Sequence, residues 1–371
     1  MPDTGLSPDA LTEAQLRARL ETPRLSVIIT NFNYADFIAT AIDSVLSQHP
    51  RAELIVVDDL STDSSRDVIR SYGDQVIPVF QETNQGQGAG FNAGFERATG
   101  DLVMFLDADD FLLPGAVREI LSNYVPGVAI YHYRMRYANA EGELGRMHPS
   151  PQTPLAEGDL SAQLRDQGRY VGTITSGLVF SRKVLEKVLP MDAGTFRQNA
   201  DGYLTSCVPL YGPARTSQFV ISGYRVHNRQ MTNAGGAYAR RARWRLAHDE
   251  ARYAVIREHA GRLGLPVADH LGDRDYLDLE ERLISLTFEP EFHPIGSDTA
   301  GDLIHRIVSA VPETASGRNA TVKSLFWRTM GVLPPKARRL MLQWRIDPQA
   351  RPPAVAFAAR QIRRFAMRRS H

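Results

Sequence analysis

The stretch from Gly100 to Leu113, GDLVMFLDADDFLL, ends an apolar run in three carboxylates, Asp107, Asp109 and Asp110. Three like charges within four residues repel one another, so the arrangement is costly without a cation or a donor array to neutralise it. Hard divalent ions such as Mg2+ or Mn2+ take a few carboxylate oxygens and complete their shell with water or substrate phosphate. The competing reading is a solvated acidic turn between a strand and a helix opening at Pro114. Two earlier apolar runs also stop at reactive residue types. RLSVIIT ends in Thr30, Asn31, Phe32 and Asn33, and ELIVV ends in Asp58 and Asp59.

These residues need elements to hold them. Arg24 to Thr30, Glu53 to Val57, Gln75 to Phe80 and Leu102 to Leu106 are short apolar or β-branched runs that read as buried strands. Between them, Ala35 to Gln48, Ser64 to Tyr72 and Phe91 to Ala98 carry apolar residues at helical spacing. Alternating strand and helix of this length predicts parallel strands joined by right-handed crossovers, with ligands beyond the carboxyl ends of the strands. Thr30 to Asn33, Asp58 with Asp59, and Asp107 with Asp109 then meet at one edge. The glycine-rich NQGQGAGFNAG opens a helix, where backbone N–H groups can approach a phosphate or sugar. It has neither the dinucleotide spacing nor a Walker lysine, which disfavours NAD and ATP sites.

The rest of the 371 residues bounds the class. A hydrophobic fraction of 43% suits a soluble globular chain larger than one typical domain. The single cysteine, Cys207, excludes an intramolecular disulfide and a multi-cysteine zinc site. The N-terminal stretch is expected to form a short helix capped by Ser7 rather than a secretory signal, and no run is long and apolar enough to predict a membrane span. The net charge of +1 conceals an asymmetry: from Arg318 onward thirteen Lys or Arg face one acid, Asp347, so that segment carries +12 and the remainder −11.

Beyond the acidic turn, Val128 to Tyr137 and Tyr170 to Ser181 read as strands, the latter with Thr173, Thr175 and Ser176 as small polar groups able to border a sugar. NAEGEL reads as a hairpin turn and HPSPQTPLAEG as a break. From Ala237 the pattern becomes helical, over Ala237 to Leu263, His270 to Phe288 and Asp302 to Val311.

The stretches SVIITNFNYADFIATAIDSVLSQ, VVDDLSTDSS, TNQGQGAGFNAGFERATGDLVMFLDADD and YRVHNRQMT resemble, in order and spacing, the family 2 glycosyltransferases of GT-A fold, over roughly Leu25 to Thr232. The resemblance implies an α/β fold with a mostly parallel sheet flanked by helices, and a C-terminal helical appendage. The expected organisation is an N-terminal helical extension (1–23), a GT-A domain (24–236) with a nucleotide-binding half (24–127) and an acceptor half (128–236), and a helical region with a basic tail (237–371). It further implies an inverting transfer of a sugar from a nucleotide-diphosphate donor, UDP by family frequency, to an acceptor hydroxyl on a glycan or lipid-linked precursor in cell-envelope or polysaccharide synthesis.

Carried over residue by residue, Thr30, Asn31, Phe32, Asp59, Asn84 and Asp107 match nucleotide-binding positions. Asp107 and Asp109 match the DxD pair that meets ribose, diphosphate and a divalent metal, Mg2+ or Mn2+, with His227 as a further metal or diphosphate contact and Arg225 and Arg229 as phosphate partners. The base matches Asp201, in Asn199-Ala200-Asp201-Gly202-Tyr203; a plain helix N-cap is the competing role for it, and Asp192 is the reserve. The chain departs from the family pattern in having Leu60 where glycine is usual, Ala200 in place of an acidic partner, and Thr30-Asn31-Phe32-Asn33 for Pro-Thr-Tyr-Asn.

A sugar nucleotidyltransferase would need a Gly-rich basic loop after the first strand, which Thr30 to Tyr34 does not supply. A non-catalytic nucleotide-sugar binder or scaffold is the alternative from another class. The tail mixes Leu325, Phe326, Trp327, Leu340, Met341, Leu342 and Trp344 with Lys and Arg. This pattern fits either a peripheral contact with an anionic membrane, at the cytoplasmic face, or a helical subdomain. No motif points to nucleic acid.

Overall fold

A computed structural model describes residues 23–227, 238–314 and 317–367. The expected N-terminal helix with its Ser7 cap, and Arg229, lie outside these residues. The described chain divides into two compact units. The first comprises residues 23–149 with Thr173–Ala200 and Ala214–Arg225; the second comprises Ser150–Gly172, Asp201–Pro213 and the described residues from 226 onward.

The first unit begins with β1 (Leu25–Asn31), α1 (Ala35–Leu46), β2 (Glu53–Asp58), α2 (Ser65–Ser71), β3 (Ile77–Phe80), α3 (Gln87–Arg97) and β4 (Leu102–Asp107). It continues through β5 (Phe111–Leu112), α4 (Ala116–Ser122), β6 (Ile130–Ala138), β7 (Leu144–His148), β8 (Leu178–Ser181), α5 (Arg182–Val188) and β9 (Ala214–Arg225). The strands form one sheet in the order β3-β2-β1-β4-β8-β6-β9-β5, with β7 paired to β6. The expected parallel arrangement holds for β1 to β4, where β1 lies between β2 and β4. Beyond β4 the sheet is mixed: β8 runs antiparallel to β4 and β6, while β9 runs parallel to β6 and antiparallel to β5. The β6–β7 pair is antiparallel because a short hairpin connection can only return the chain in the opposite direction.

Parallel registry aligns Thr30 with both Val57 and Asp107, which fixes the strand ends against one another. Val27, Ile28, Ile29, Ile55, Val56, Val57 and Leu102 to Leu106 are buried, as expected of strands covered on both faces. Ile38, Ala41, Ile42 and Val45 of α1 cover one face. On α3, Gly90 and Gly94 permit close approach to the sheet: a Cβ at Gly94 would stand 2.3 Å from Ile28 Cγ2. The expected strand from Tyr170 is shorter than its pattern suggests, because Thr175–Gly177 forms a 3-10 turn and only Leu178–Ser181 pairs.

The second unit is helical: a short helix Ser161–Gln167, then α6 (Asp201–Cys207), α7 (Tyr238–Arg262), α8 (Tyr276–Phe288), α9 (Ala300–Thr314), α10 (Gly317–Val332), α11 (Pro335–Ile346) and α12 (Pro353–Met367). Leu279, Leu283, Leu303, Ile307, Trp327, Met330 and Leu342 form its core. Trp327 is fully buried, its indole N–H donating to Tyr276 Oη at 2.9 Å. Trp327 and Leu342 of the basic segment are therefore core side chains, and the helical-subdomain reading applies to α10 and α11. Among the described residues no helix is long and apolar enough to cross a membrane.

Candidate active site

At the ends of β1 and β2 the polar residues divide into braces between two loops and a buried carboxylate, Asp59, that turns to a third. Asn31 is buried and donates its amide to Asp58 Oδ2 at 2.9 Å and to Ser61 Oγ at 3.1 Å. Asp58 also accepts from the Ser61 N–H at 3.0 Å and from Arg66 Nε at 2.6 Å. Burial alone would raise the Asp58 carboxyl, but the bonds from Ser61, Arg66 and Asn31 hold it below the ordinary carboxylate value. Asn33 Oδ1 accepts from the Thr62 N–H at 2.7 Å. Asn31, Asn33, Asp58, Ser61 and Thr62 thus lock two loops together, while Phe32 stands 44% exposed at the strand end.

Asp59 points to the glycine-rich loop. Its carboxylate accepts from the Gln85 N–H at 2.8 Å and the Gly86 N–H at 2.7 Å, while Asn84 Nδ2 donates to the Asp59 carbonyl at 3.0 Å. Those loop N–H groups are engaged by protein, contrary to the expectation that they would approach a phosphate. Arg197 donates to the Asn84 side chain, and the Gln87 N–H to the Arg197 carbonyl at 2.8 Å. Leu60, in the position where glycine was noted as usual, has φ of 62°, the left-handed region that costs a side chain with a Cβ.

The acidic turn is held from three directions. The Asp107 N–H donates to Ser176 Oγ at 3.2 Å, and Gln87 Nε2 donates to Asp107 Oδ1 at 2.8 Å. The other end of the Gln87 amide accepts from the Ala200 N–H at 3.0 Å. Asp110 is fully buried and accepts from the Arg225 N–H at 2.8 Å. Burial first, then the neighbouring Asp109 and Asp107, push the Asp110 carboxyl well above the usual range, against hydrogen bonds from Ser176 and the Arg225 N–H.

Arg225 has a different role from the phosphate partner expected of it. It is 3% exposed, donates Nε to the Asp109 carbonyl at 2.8 Å and Nη1 to the Ala140 carbonyl at 2.5 Å, and its guanidinium lies 5.0 Å from the Phe37 ring and 5.1 Å from Phe111. The guanidinium clamps the backbone of the acidic turn.

Among the described residues, no group of three or more His, Cys, Asp or Glu gathers as an all-protein metal cage. Two neighbouring carboxylates, Asp107 and Asp109, nevertheless fit a hard divalent ion that shares its shell with a substrate diphosphate and water. Thr30, Asn31, Phe32, Asp59, Asn84, Asp107 and Asp109 all belong to the first unit. Asp201 and His227 belong to the second. Asp201 opens α6, and His227 is buried just beyond β9. The reserve candidate Asp192 is exposed and closes its own turn, accepting from the Gly194 N–H at 2.9 Å and from Thr195 Oγ1 at 2.6 Å. Gln87 went unassigned by sequence because an amide has no motif of its own, whereas Ser176, expected as a small polar group able to border a sugar, accepts the Asp107 N–H.

An α/β unit with polar strand ends converging on one edge places its candidate site beyond the carboxyl ends of the strands. The profile described as Glycosyl transferase family 2 matches residues 26–189. An uncharacterized glycosyltransferase of Nostoc sp. is 38% identical over 230 residues, 59% of this chain and 70% of the relative. The putative teichuronic acid biosynthesis glycosyltransferase TuaG of Bacillus subtilis is 42% identical over 92 residues, 24% of this chain and 36% of that one. The chain belongs to glycosyltransferase family 2, and its α/β unit has the GT-A architecture. A crystal structure of S. aureus TarS 1-349 in complex with UDP-GlcNAc aligns with a TM-score of 0.49 at 15% identity, over 88% of this chain and 92% of that one.

Proposed function

We propose that the protein is an inverting, metal-dependent glycosyltransferase that moves a sugar from a nucleotide-diphosphate donor to an acceptor hydroxyl. The observation that carries this reading is the braced acidic turn, in which Asp107 and Asp109 stand at the end of β4 beside the end of β1. In this reading Thr30, Phe32, Asp59 and Asn84 border the nucleotide, with Asn31 fixing the loop that presents them. Asp107 and Asp109 hold the divalent ion, Mg2+ or Mn2+, which when bound offsets charge on the departing diphosphate. His227 is its further contact.

Asp201 takes the acceptor hydroxyl's proton as that oxygen attacks the anomeric carbon; the bond to the diphosphate breaks and the configuration inverts. TuaG is named for teichuronic acid biosynthesis, which supports a glycan or lipid-linked acceptor and a place in polysaccharide synthesis, with UDP as the first donor nucleotide to test. The reading places the enzyme in the cytoplasm. There the half-exposed Phe357 and Ile362 of the basic α12 form the surface that meets an anionic inner leaflet, tested by sedimentation with phosphatidylglycerol against phosphatidylcholine vesicles.

The deciding experiment is calorimetric titration with UDP, GDP and dTDP, with and without Mn2+, on the wild type, Asp109→Ala and Asp201→Asn. Metal-dependent binding of one nucleotide should disappear in Asp109→Ala and survive in Asp201→Asn, while donor turnover disappears in both. Turnover surviving in Asp201→Asn would remove the base assignment. Absence of nucleotide binding would remove the donor site.

A further inference from the structure

The chain has three tryptophans, at 244, 327 and 344. Trp327 is fully buried, whereas Trp244 on α7 is 43% exposed, the most water-accessible indole among the described residues. One helical turn on, His248 meets it with ring centroids 5.7 Å apart and planes at 63°, an edge-to-face rather than a stacked contact. The His248 ring in turn reaches the start of α6. A Cβ added at Gly202 would lie 2.4 Å from His248 Cε1 and 3.3 Å from Arg252 Cδ, so the missing side chain at Gly202 is what lets α7 approach so closely. Gly202 directly follows Asp201, which is itself partly exposed.

Behind this surface the second unit is rigidly tied. Arg252 donates to Asp249 Oδ1 at 2.9 Å and to Ser206 Oγ at 3.1 Å, and Arg169 donates to Asp249 Oδ1 at 2.7 Å. Trp244, His248 and Gly202 are therefore neighbours in the second unit, where a partly exposed indole meets an imidazole that packs against the start of α6, one residue after Asp201 in the chain.

That combination suits one ligand chemistry. A pyranose ring has an apolar face of C–H groups that lies against an indole, and a periphery of hydroxyls that needs acceptors such as carboxylates and imidazoles. We propose that Trp244 and His248 form a subsite for a sugar ring of the acceptor, with the ring on Trp244 and a hydroxyl directed to Asp201. The proposal rests on the reading of Asp201 as the base of a sugar transfer.

Saturation-transfer NMR with cellobiose, N,N'-diacetylchitobiose, mannobiose and lactose tests it on the full chain, comparing wild type with Trp244→Ala and Trp244→Tyr. An exposed side chain leaves no core cavity when truncated, and far-ultraviolet circular dichroism confirms that each variant is folded. At least one disaccharide should bind the wild type, bind Trp244→Ala about tenfold more weakly, and regain most of its affinity in Trp244→Tyr. No binding to the wild type, or equal binding to Trp244→Ala, would overturn the subsite. Nucleotide titration of the same samples separates this from the donor reading. Trp244→Ala should bind the donor nucleotide as the wild type does, and a wild type that binds no nucleotide would sink the donor site whatever the saccharides show.

Discussion

Replacing Arg225 by methionine tests whether the acidic turn is held by a guanidinium rather than by a bound cation. Methionine retains an apolar stem between Phe37 and Phe111, so the change removes mainly the donors and the charge. Two buried bonds are lost, to the Asp109 carbonyl at 2.8 Å and the Ala140 carbonyl at 2.5 Å. Hydrogen bonds to a charged partner contribute about 1.5–3 kcal/mol each, and a desolvated guanidinium over aromatic rings about 1–2 kcal/mol. Allowing for relaxation and water entry, local opening of the turn should become easier by about 3–5 kcal/mol, because the contributions are not fully additive.

Hydrogen exchange followed by mass spectrometry reads this directly, since exchange from locally opened states reports their free energy. Amides of residues 107–113 and 221–225 should lose protection by about a hundred- to several-thousandfold, while those of α8 stay unchanged. Arg225→Lys, which keeps the charge and at most one of the two bonds, should fall between. Calorimetry should show weaker nucleotide binding in the methionine variant, because the Asp109 backbone is no longer fixed. Protection within threefold of the wild type, with unchanged nucleotide affinity, would refute the clamp.

Other expectations rest on separate parts of the molecule. Leu60→Gly should stabilise the first unit by about 1 kcal/mol in urea unfolding, since glycine adopts φ of 62° without a Cβ penalty; a destabilised variant would mean that the Leu60 side chain contributes more than its backbone costs. Gly94→Ala, whose Cβ would stand 2.3 Å from Ile28 Cγ2 and 3.2 Å from Val57 Cγ2, should destabilise that unit by about 2–3 kcal/mol and lower the midpoint accordingly.

In the second unit, burial first, then Asp275 and Asp249, raise Asp278 from 3.8 to about 8, against Arg282 and Arg169. The folded state therefore holds a proton that the unfolded chain releases near pH 4, so this group's contribution is full below that pH and declines as pH rises toward 8. Asp278→Asn should flatten that decline and leave the variant more stable than the wild type at pH 8, as read from thermal unfolding across the range. A parallel decline in both proteins would assign the pH dependence elsewhere.

The strand ends and their polar residues were legible in the sequence because a strand buried on both faces has to be a continuous apolar run, and its first polar residue marks where it leaves the sheet. That rule locates Thr30, Asp58 and Asp107 from the sequence alone. The same logic overextended the strand from Tyr170, since small polar residues such as Thr175 and Ser176 suit a 3-10 turn as well as an edge strand.

What a residue type alone leaves open is which partner its polar group finds. Asp58 and Asp59 are neighbours of identical chemistry, yet one is consumed by Asn31, Ser61 and Arg66 while the other turns to Gln85 and Gly86. Arg225 reads as a phosphate ligand until its carbonyl partners and flanking rings are seen. Trp327 and Trp244 both sit among basic residues, but one is core and the other exposed. Local patterning shows which elements form and roughly where the buried strands end, because it is written in period and polarity. Pairings between residues far apart in the chain depend on how sheet order and helix packing bring them together, and those were decided by the tertiary structure.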